Sequence, residues 1–308
     1  MLVGTVREIW RYPVKSMAGE KLGSCSVGPG GLPGDRGWAL RDKAAGEIRG
    51  AKYLPALMRC SAVYREPPVD GTVPHVDITL PDGTRTASDA PDVDERLSAL
   101  LGREVSLHPL RPASDRAHYR RGHPLAPVVG RLSRVRALRP HLGTIIRMAG
   151  LGGIAREMMS RQPDEPFPDL SGIPPEVFEF ASPPGTYFDA YPLHLLTTAS
   201  LAAMSRLNPA AAWDVRRFRP NFLVETDGGI EGLAEAAWGG REIRVGGLMV
   251  RCAGPTVRCG MTTHAQDGLP KDPTVLRTIV REAGQNLGAY ASAVNSGSVA
   301  VGDAVELL

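Results

Sequence analysis

The chain has 308 residues, of which 43% are hydrophobic and 22% are charged, and its formal net charge is +3. This composition is typical of a globular protein and excludes a collagen-like or intrinsically disordered chain. The length allows one or two domains. A net charge this small gives no support for a nucleic-acid partner.

The N-terminal ten residues are interrupted by charged side chains and lack the apolar core of a signal peptide. No window approaches the roughly 20 apolar residues of a membrane-spanning helix. The four cysteines are irregularly spaced and form no CxxC pair; they are Cys25, Cys60, Cys252 and Cys259. This pattern favours free thiols in a reducing compartment over a disulfide framework, so we expect a cytoplasmic protein.

The first hundred residues are predicted to be mainly β. Short strand-like runs occupy residues 3–14, 21–27, 36–41, 60–65, 76–80 and 104–110. Asp82-Gly83 is a hairpin signal between two of these runs, and an amphipathic helix over residues 92–101 is terminated by Gly102. Many short strands with few helices indicate a small barrel or sandwich.

The composition changes after residue 114. Between Asp115 and Arg161 there are ten arginines against two acidic residues. Apolar residues at helical spacing suggest an amphipathic helix here; they are Leu142, Ile145, Ile146, Ala149, Ile154, Met158 and Met159. One interpretation is a basic surface for an acidic redox partner or, through residues 131–161, for peripheral contact with anionic lipid. The other, which we favour, is a solvated insertion whose apolar face covers the barrel.

The C-terminal part returns to a β pattern after a Pro-rich connection that ends near residue 184. Strands are predicted at residues 222–225, 242–245, 248–252 and 299–307. Thr197 or Thr198 is suited to N-cap a helix that runs to Leu207, and Asp272 to cap a second helix that opens at Pro273. The sequence therefore predicts a mainly β (α+β) protein with two β-barrel-like parts and peripheral helices, divided into residues 1–113, 114–184 and 185–308.

Cys259 is the cysteine whose neighbours suit a metal ligand. Arg258 precedes it, and Gly260 and the hydroxyls of Thr262 and Thr263 follow. A packed, inert thiol is the ordinary role of a free cysteine. A neighbouring guanidinium, however, favours the thiolate, which is the form that binds metal. Thiolate is also a suitable soft ligand for a transition metal whose other ligands are sulfur and oxo groups.

Three further segments carry donors suited to an anion: Tyr12-Pro13-Val14-Lys15-Ser16, Gly34-Asp35-Arg36-Gly37-Trp38 and Phe218-Arg219-Pro220-Asn221. Alone, each is better explained by a surface salt bridge or a turn. In this order, and with Thr256 to Thr263 last, they resemble the MOSC family. They are most similar to its two-part form, a MOSC N-terminal β-barrel domain followed by the MOSC domain, as in the mitochondrial amidoxime-reducing component and its bacterial relatives. The resemblance lapses between about residues 114 and 184.

The resemblance implies a cofactor and a set of site residues. The cofactor is molybdenum-molybdopterin, the molybdenum cofactor, and Cys259 matches the family's metal ligand and catalytic residue. The residues predicted to bind the cofactor are Lys15, Ser16, Arg36, Thr197, Thr198, Arg219, Asn221, Arg258 and Cys259. The other three cysteines match no such element and are predicted to be core thiols.

The resemblance also implies an oxidoreductase that reduces N-hydroxylated compounds, with a small molecule as its substrate. The scattered cysteines lack the spacing of an iron–sulfur cluster, so electrons are expected from a separate ferredoxin-like protein or flavoprotein. No nucleic-acid partner and no transmembrane segment are expected. The alternative, from a different class, is a non-catalytic carrier of the molybdenum cofactor or a sulfur-transfer module of cofactor maturation.

Overall fold

The computed structural model describes residues 1–69, 71–141, 144, 156, 159–165, 169–170 and 172–308. Its strands, in chain order, are β1 (Leu2–Arg11), β2 (Glu20–Leu22), β3 (Ser24–Val27), β4 (Trp38–Asp42), β5 (Glu47–Ile48), β6 (Ser61–Tyr64), β7 (Val76–Thr79), β8 (Arg85–Ala87), β9 (Val105–Pro109), β10 (Leu193–Thr197), β11 (Phe222–Thr226), β12 (Glu242–Val245), β13 (Leu248–Val257), β14 (Asn286–Ala293), β15 (Gly297–Ala300) and β16 (Ala304–Leu307). Its helices are α1 (Val93–Leu101), α2 (Arg116–Tyr119), α3 (Ala126–Arg134), α4 (Glu176–Glu179), α5 (Thr198–Leu207) and α6 (Pro273–Glu282). Of the residues that suggested an amphipathic helix between Leu142 and Met159, all except Met159 lie outside the described residues.

Among the described residues, seven strands close a barrel in the order β11-β10-β14-β13-β12-β16-β1, and the pairing of β11 with β1 completes the ring. Neighbouring strands are antiparallel except β10 and β11, which run parallel because α5 crosses between them. Closure removes the exposed edges that an open sheet would present. The prediction of a mainly β protein with few, peripheral helices is confirmed.

The first strand of the chain belongs to this barrel. β1 pairs with β11 on one side and with β16 on the other, and Val3, Val6 and Ile9 enter the barrel core at no more than 1% exposure. Burial of each such aliphatic side chain contributes about 1.5–3 kcal/mol. The strand therefore crosses, in space, the predicted division between residues 1–113 and 185–308, whose boundaries along the sequence stay a prediction. The residues that follow β1, including Lys15, therefore begin next to the barrel of the C-terminal part.

In the rest of the N-terminal part, β2 pairs with β1, β3 pairs with β15, and the other strands form two three-stranded sheets, β5-β4-β9 and β6-β7-β8. They enclose a second core that includes Leu40, Ile78 and Leu97. The predicted hairpin turn connects β7 and β8, and α1 ends at Gly102, whose φ of 61° is the left-handed conformation that glycine adopts without strain. These elements form where the sequence predicts them.

The described part of the connecting segment forms an ordered layer against the N-terminal sheets. Tyr119 and Phe180 are fully buried in a small core with Ile48 of β5, and Arg134 of α3 pairs with Glu179 of α4 at 2.7 Å. Among the residues that the structure describes, no helix is long and apolar enough to cross a membrane.

Two strands that border the candidate site, β10 and β14, were not predicted. Every residue of β10 is buried, so it lacks the period-two alternation that marks a half-buried strand. β14 has the sequence NLGAYASA, and its small residues have low strand propensity. Pairing with both barrel neighbours overrides these local signals.

Candidate functional site

Four cationic side chains from four distant segments converge at one end of the barrel. Lys15 follows β1, Arg36 precedes β4, Arg219 precedes β11 and Arg258 follows β13. The ring of Tyr12 contacts two of them, since its centroid lies 4.0 Å from the Arg219 guanidinium carbon and 5.0 Å from that of Arg36. We call Lys15, Arg36, Arg219 and Arg258 the cation cluster.

The members of the cation cluster are largely removed from solvent. Lys15, Arg219 and Arg258 are 8%, 4% and 6% exposed. Burial lowers the pKa of Arg219 to about 10 and also lowers the pKa of Arg258, yet an arginine with a pKa of about 10 stays charged at neutral pH. Because a buried charge is costly unless it is paired and hydrogen-bonded, the cluster requires nearby acceptors.

Two carboxylates, Asp35 and Asp189, supply part of this requirement. The Asp35 side chain is fully buried and accepts hydrogen bonds from the Tyr12 backbone N–H (2.8 Å) and from the Arg36 guanidinium. Lys15 Nζ donates to Asp189 Oδ1 (2.6 Å) and to the Tyr187 carbonyl (2.7 Å). Four cations are thus matched by two carboxylates, which leaves the cluster with excess positive charge.

Asp189 marks the open side of the cluster. Its side chain is 66% exposed, whereas that of Lys15 is 9% exposed. Burial by the surrounding protein acts to raise the pKa of Asp189, but Lys15, Arg36 and Arg219 hold it below its usual value. Burial lowers the pKa of Lys15, and Asp189 opposes this only in part. We call this partly open side of the cation cluster, where Lys15 meets the exposed Asp189, the recess.

Within the part of the chain that the structure describes, two guanidinium nitrogens of the cluster are buried without a hydrogen-bond partner. Arg219 donates through Nη1 to the Met17 carbonyl (2.5 Å), but its Nη2 has no acceptor. Arg258 donates through Nη2 to the Phe218 carbonyl (2.6 Å), but its Nε has none. Buried donors are rarely left unsatisfied in native proteins. Together with the excess positive charge, these nitrogens fit an anionic ligand that accepts several hydrogen bonds.

His194 of β10 holds the backbone of this cluster. Its Nδ1 lies 3.3 Å from the Arg219 carbonyl, and burial together with Arg258 keeps its pKa well below the ordinary value, so the ring is neutral. Gly288 of β14 allows the close packing, because a Cβ at this position would lie 2.1 Å from His194 Nε2. Arg219 itself has a φ of 55°, a conformation uncommon for a non-glycine residue.

Cys259 lies immediately beyond β13, at the start of a 3₁₀ turn over Gly260–Thr263. It is half-buried, and its carbonyl accepts from the Thr262 N–H (3.2 Å) and Thr262 Oγ1 (3.0 Å). Its thiolate charge would act on both Arg258 and Tyr290. Because Arg258 of the cation cluster directly precedes it, Cys259 lies next to the cluster.

The other three cysteines lie in settings that disfavour a thiolate. Burial raises the pKa of Cys25 to about 12, that of Cys60 to about 11 and that of Cys252 to about 12. Cys60 and Cys252 belong to the two main cores, and Cys25 packs against the barrel core. At neutral pH all three are thiols, the form that binds metal poorly.

Ser16 and Asn221 lie beside the cluster, but their polar groups are engaged by the protein. Ser16 Oγ accepts from the Ala51 N–H (2.8 Å). Asn221 is fully buried; its Oδ1 accepts from the His194 N–H, and its Nδ2 donates to Asp35 Oδ2 (2.9 Å) and more weakly to the Trp10 carbonyl. The carboxamide thus joins β1, β10 and the Asp35–Arg36 pair, which is a scaffolding arrangement.

Thr197 and Thr198 lie at the opposite end of β10 from His194. Thr197 caps α5, as predicted, by accepting from the Ser200 N–H (3.1 Å), and it donates to Glu235 Oε2 (2.7 Å). The Thr198 hydroxyl contacts Thr226. In the described part of the chain neither hydroxyl contacts the cation cluster, so their predicted role as cofactor-binding residues gains no geometric support.

Sequence reasoning did not select several residues that build the recess. Tyr12 and Asp35 adjoin Lys15 and Arg36 in the quoted segments, so a local signal for them existed. Asp189 and Tyr290 carried no such signal, because one lies in the irregular stretch before β10 and the other in the unpredicted β14. The same holds for His194 of the unpredicted β10.

Comparisons with known proteins bear on both parts of the chain. The model of the MOSC N-terminal beta barrel domain matches residues 3–104, and the model of the MOSC domain matches residues 183–306. No curated protein matches the sequence.

Several solved structures resemble the chain. YiiM from Geobacillus stearothermophilus is 14% identical, with a TM-score of 0.29, over 38% of this chain and 54% of that one. YiiM from Escherichia coli is 17% identical, with a TM-score of 0.30, over 38% and 54%. The YUAD protein from Bacillus subtilis is 9% identical, with a TM-score of 0.41, over 99% and 95%. The chain spans about half the length of the two YiiM proteins that it matches. With both domain models matched in order, the chain belongs to the proteins that carry a MOSC N-terminal beta barrel domain followed by a MOSC domain.

Proposed function

We propose that this protein binds the molybdenum cofactor in the recess between Cys259 and the cation cluster, and that it uses the cofactor to reduce N-hydroxylated compounds. MOSC domains generally bind this cofactor. The observation that carries the proposal is a pair of buried guanidinium nitrogens on Arg219 and Arg258 that lack a partner among the described residues, beside a half-buried cysteine. A phosphate-bearing cofactor with a thiophilic metal satisfies both features.

The chemistry of the residues fits the parts of molybdopterin. The free donors of Arg219 and Arg258 suit its phosphate, because guanidinium groups bind phosphate through paired hydrogen bonds. Lys15 adds a point charge on the open side of the recess. Cys259 supplies a soft sulfur ligand. Asn221, Asp35 and His194 act indirectly, since their contacts fix the orientation of the side chains that would touch the cofactor.

When bound, the molybdenum cofactor supplies two-electron redox chemistry with oxygen transfer. Reduction of an N-hydroxylated compound takes two electrons and two protons for each N–O bond and releases one water. The protein's contribution is to hold a negatively charged group away from bulk water and to leave one side accessible at Asp189. Asp189 and Tyr290 border the side from which a substrate would enter.

The electrons are proposed to come from a separate acidic redox protein, ferredoxin-like or flavin-dependent. Arginines outnumber acidic residues ten to two between residues 115 and 161, and such an excess of positive charge in the sequence favours association with an acidic partner. The rate at which this protein associates with its acidic partner should therefore fall as the ionic strength rises.

The test begins with protein purified from a host that makes molybdopterin. We expect molybdenum and molybdopterin in near-equal amounts, an absorption band from thiolate to metal, and reduction of a simple amidoxime with an artificial electron donor. Cys60→Ser is the matched control for Cys259→Ser, because Cys60 is a buried thiol of the N-terminal core. Protein free of molybdenum would contradict the proposal. Protein that holds the cofactor but reduces no N-hydroxylated compound would favour the alternative, a carrier or sulfur-transfer module.

A further inference from the structure

Arg217 is an unusual buried residue two positions before Arg219. It is fully buried and is the largest of the side chains that lack solvent exposure. In the described part of the chain no carboxylate forms an ion pair with it. Burial lowers its pKa, with Asp272 and Asp214 opposing this from a distance. An apolar side chain of similar size would fill this space without the cost of desolvating a charge. Packing alone therefore does not explain the guanidinium.

All the hydrogen bonds of the Arg217 guanidinium end on backbone carbonyls. Nε donates to Ala212 (2.9 Å). Nη1 donates to Thr262 (3.3 Å) and His264 (3.2 Å), and Nη2 donates to Pro270 (2.8 Å). Three of these four carbonyls belong to the loop that follows Cys259. The planar fork of arginine can hold several carbonyls of one loop at once, which lysine cannot.

A short chain of hydrogen bonds connects Arg217 with Cys259. Arg217 holds the Thr262 carbonyl, and Thr262 in turn donates through its N–H and its Oγ1 to the Cys259 carbonyl. The guanidinium therefore acts two hydrogen bonds away from the cysteine. It restrains the turn that determines where the sulfur points.

The same contacts reach the N-terminal part. Arg217 also holds the carbonyl of His264, whose ring lies close to the Ala51 backbone. The Ala51 N–H donates to Ser16 Oγ, next to Lys15. The loop after Cys259 thus also approaches the N-terminal part, and the segment that carries Arg217 also carries Arg219 of the cation cluster.

We propose that Arg217 is a positioning residue that holds the Cys259 loop in the geometry in which the sulfur faces the recess. This proposal rests on the proposed function for its purpose, but the restraint on Cys259 exists without any cofactor. Removal of the Arg217 guanidinium frees the loop after Cys259 but leaves the cation cluster unchanged. The cysteine then becomes more reactive in the cofactor-free protein and a poorer metal ligand in the loaded one.

The test measures the rate at which an aromatic disulfide reagent labels Cys259 in the full-length, cofactor-free protein. Cys259→Ser supplies the background from the other thiols. Arg217→Lys should raise the labelling rate about tenfold or more, since it removes at least one hydrogen bond from a charged donor. Arg206→Lys is the control, because this arginine lies on α5 and is exposed to solvent. Its labelling rate should match that of the wild type.

Urea separates positioning from general destabilisation. A positioning role predicts faster labelling at a rate that does not change with low urea concentrations, because only the loop opens. If Arg217→Lys fails to fold, Thr262→Val tests the next link with little change in volume, and it should also accelerate labelling. The proposal is overturned by a labelling rate within twofold of the wild type in the folded variant, or by one that rises with urea in step with global unfolding.

A second readout uses protein loaded with the cofactor. Arg217→Lys should retain molybdopterin, because the donors of Arg219 and Arg258 remain, but should lose the absorption band from thiolate to metal. Retention of that band at wild-type intensity would overturn the proposal. If wild-type protein holds no molybdenum, the proposed function fails, while the labelling experiment still decides the role of Arg217.

Discussion

The two ends of β10 each hold buried charge, but they differ in how that charge can be neutralised. At the His194 end lies the cation cluster, beside a recess that reaches solvent at Asp189. At the Thr197 end lies Glu235, 1% exposed, which accepts hydrogen bonds from Thr197 and Ser200. One end is cationic and open, and the other is acidic and sealed.

The contrast between the two ends of β10 indicates which buried charges are suited to a bound ligand. Burial raises the pKa of Glu235, so the sealed end can lose its charge by taking up a proton. Arg219 has a pKa of about 10 and cannot lose its charge at neutral pH. The open end is therefore suited to an anion from outside the protein, whereas the sealed end serves the fold by anchoring the start of α5.

The largest effect is expected from removal of the proposed metal ligand at the open end. Cys259→Ser exchanges sulfur for oxygen with little change in volume, so the fold should persist. Loss of the soft ligand should lower activity by about 100-fold or more and abolish the absorption band from thiolate to metal. Metal spectroscopy and turnover with an artificial donor measure this. Wild-type spectra and activity in this variant would remove the main support for the molybdenum proposal.

The next effect concerns the free donor of Arg219. Arg219→Met keeps the length of the side chain but removes the charge and the hydrogen bonds. We expect cofactor affinity to fall by about 30-fold to 1,000-fold, the range for loss of a buried charged hydrogen bond. Molybdopterin content after dialysis measures it. Arg216→Met, which changes a partly exposed arginine of the same segment, should retain the cofactor, and equal retention in both variants would mean that the cluster does not hold it.

The sealed end should respond in stability alone. Glu235→Ala removes the acceptor of the Thr197 and Ser200 hydroxyls, and we expect unfolding free energy to fall by about 2–3 kcal/mol. Because the hydroxyl groups are satisfied by an uncharged acceptor as well, Glu235→Gln should restore most of this loss. Urea unfolding measures both variants, and molybdopterin content per folded molecule should stay at the wild-type value. A loss of cofactor in parallel with stability would make the two ends one coupled site.

The same comparison shows what the sequence could reveal. Lys15, Arg36, Arg219 and Cys259 each stand in a short segment with its own local pattern, so they were predictable as candidates. Their convergence depends on β1 pairing with β11 and β16 more than 200 residues away, a contact that no local pattern encodes. The N-cap of Thr197 was predictable for the opposite reason, since capping depends only on residues within one helical turn.

The engaged groups were beyond reach for a further reason. Asn221 stands in a predicted segment, but only the structure shows that its carboxamide is taken up by Asp35, Trp10 and the His194 N–H. Sequence alone does not distinguish a polar group that is free to bind a ligand from one that is already bonded. That distinction is what separates Arg219 from Asn221 two residues later.

The smallest effect is expected from His118, a buried histidine that is linked to Lys15 through Tyr187. His118 Nε2 lies 2.8 Å from the Tyr187 hydroxyl, and the Tyr187 carbonyl accepts from Lys15 Nζ. Burial, with help from His108 and Arg41, lowers the pKa of His118 to about 4. In the unfolded chain the pKa is about 6.5, so as the pH falls from about 6.5 towards 4 the unfolded state binds a proton that the folded state does not. The contribution of His118 to the unfolding free energy is therefore complete above pH 6.5 and is lost as the pH falls through this window.

His118→Gln keeps a hydrogen-bonding group for Tyr187. Between pH 7 and pH 4.5 its unfolding free energy, measured with urea, should fall by about 1–2 kcal/mol less than that of the wild type. His123→Gln, at an exposed position, should follow the wild-type curve. Parallel curves of unfolding free energy against pH for His118→Gln and the wild type would mean that His118 takes up its proton in the folded state. A further positive charge would then lie behind Lys15. The contrast between buried groups that become neutral and buried arginines that stay charged would be weaker.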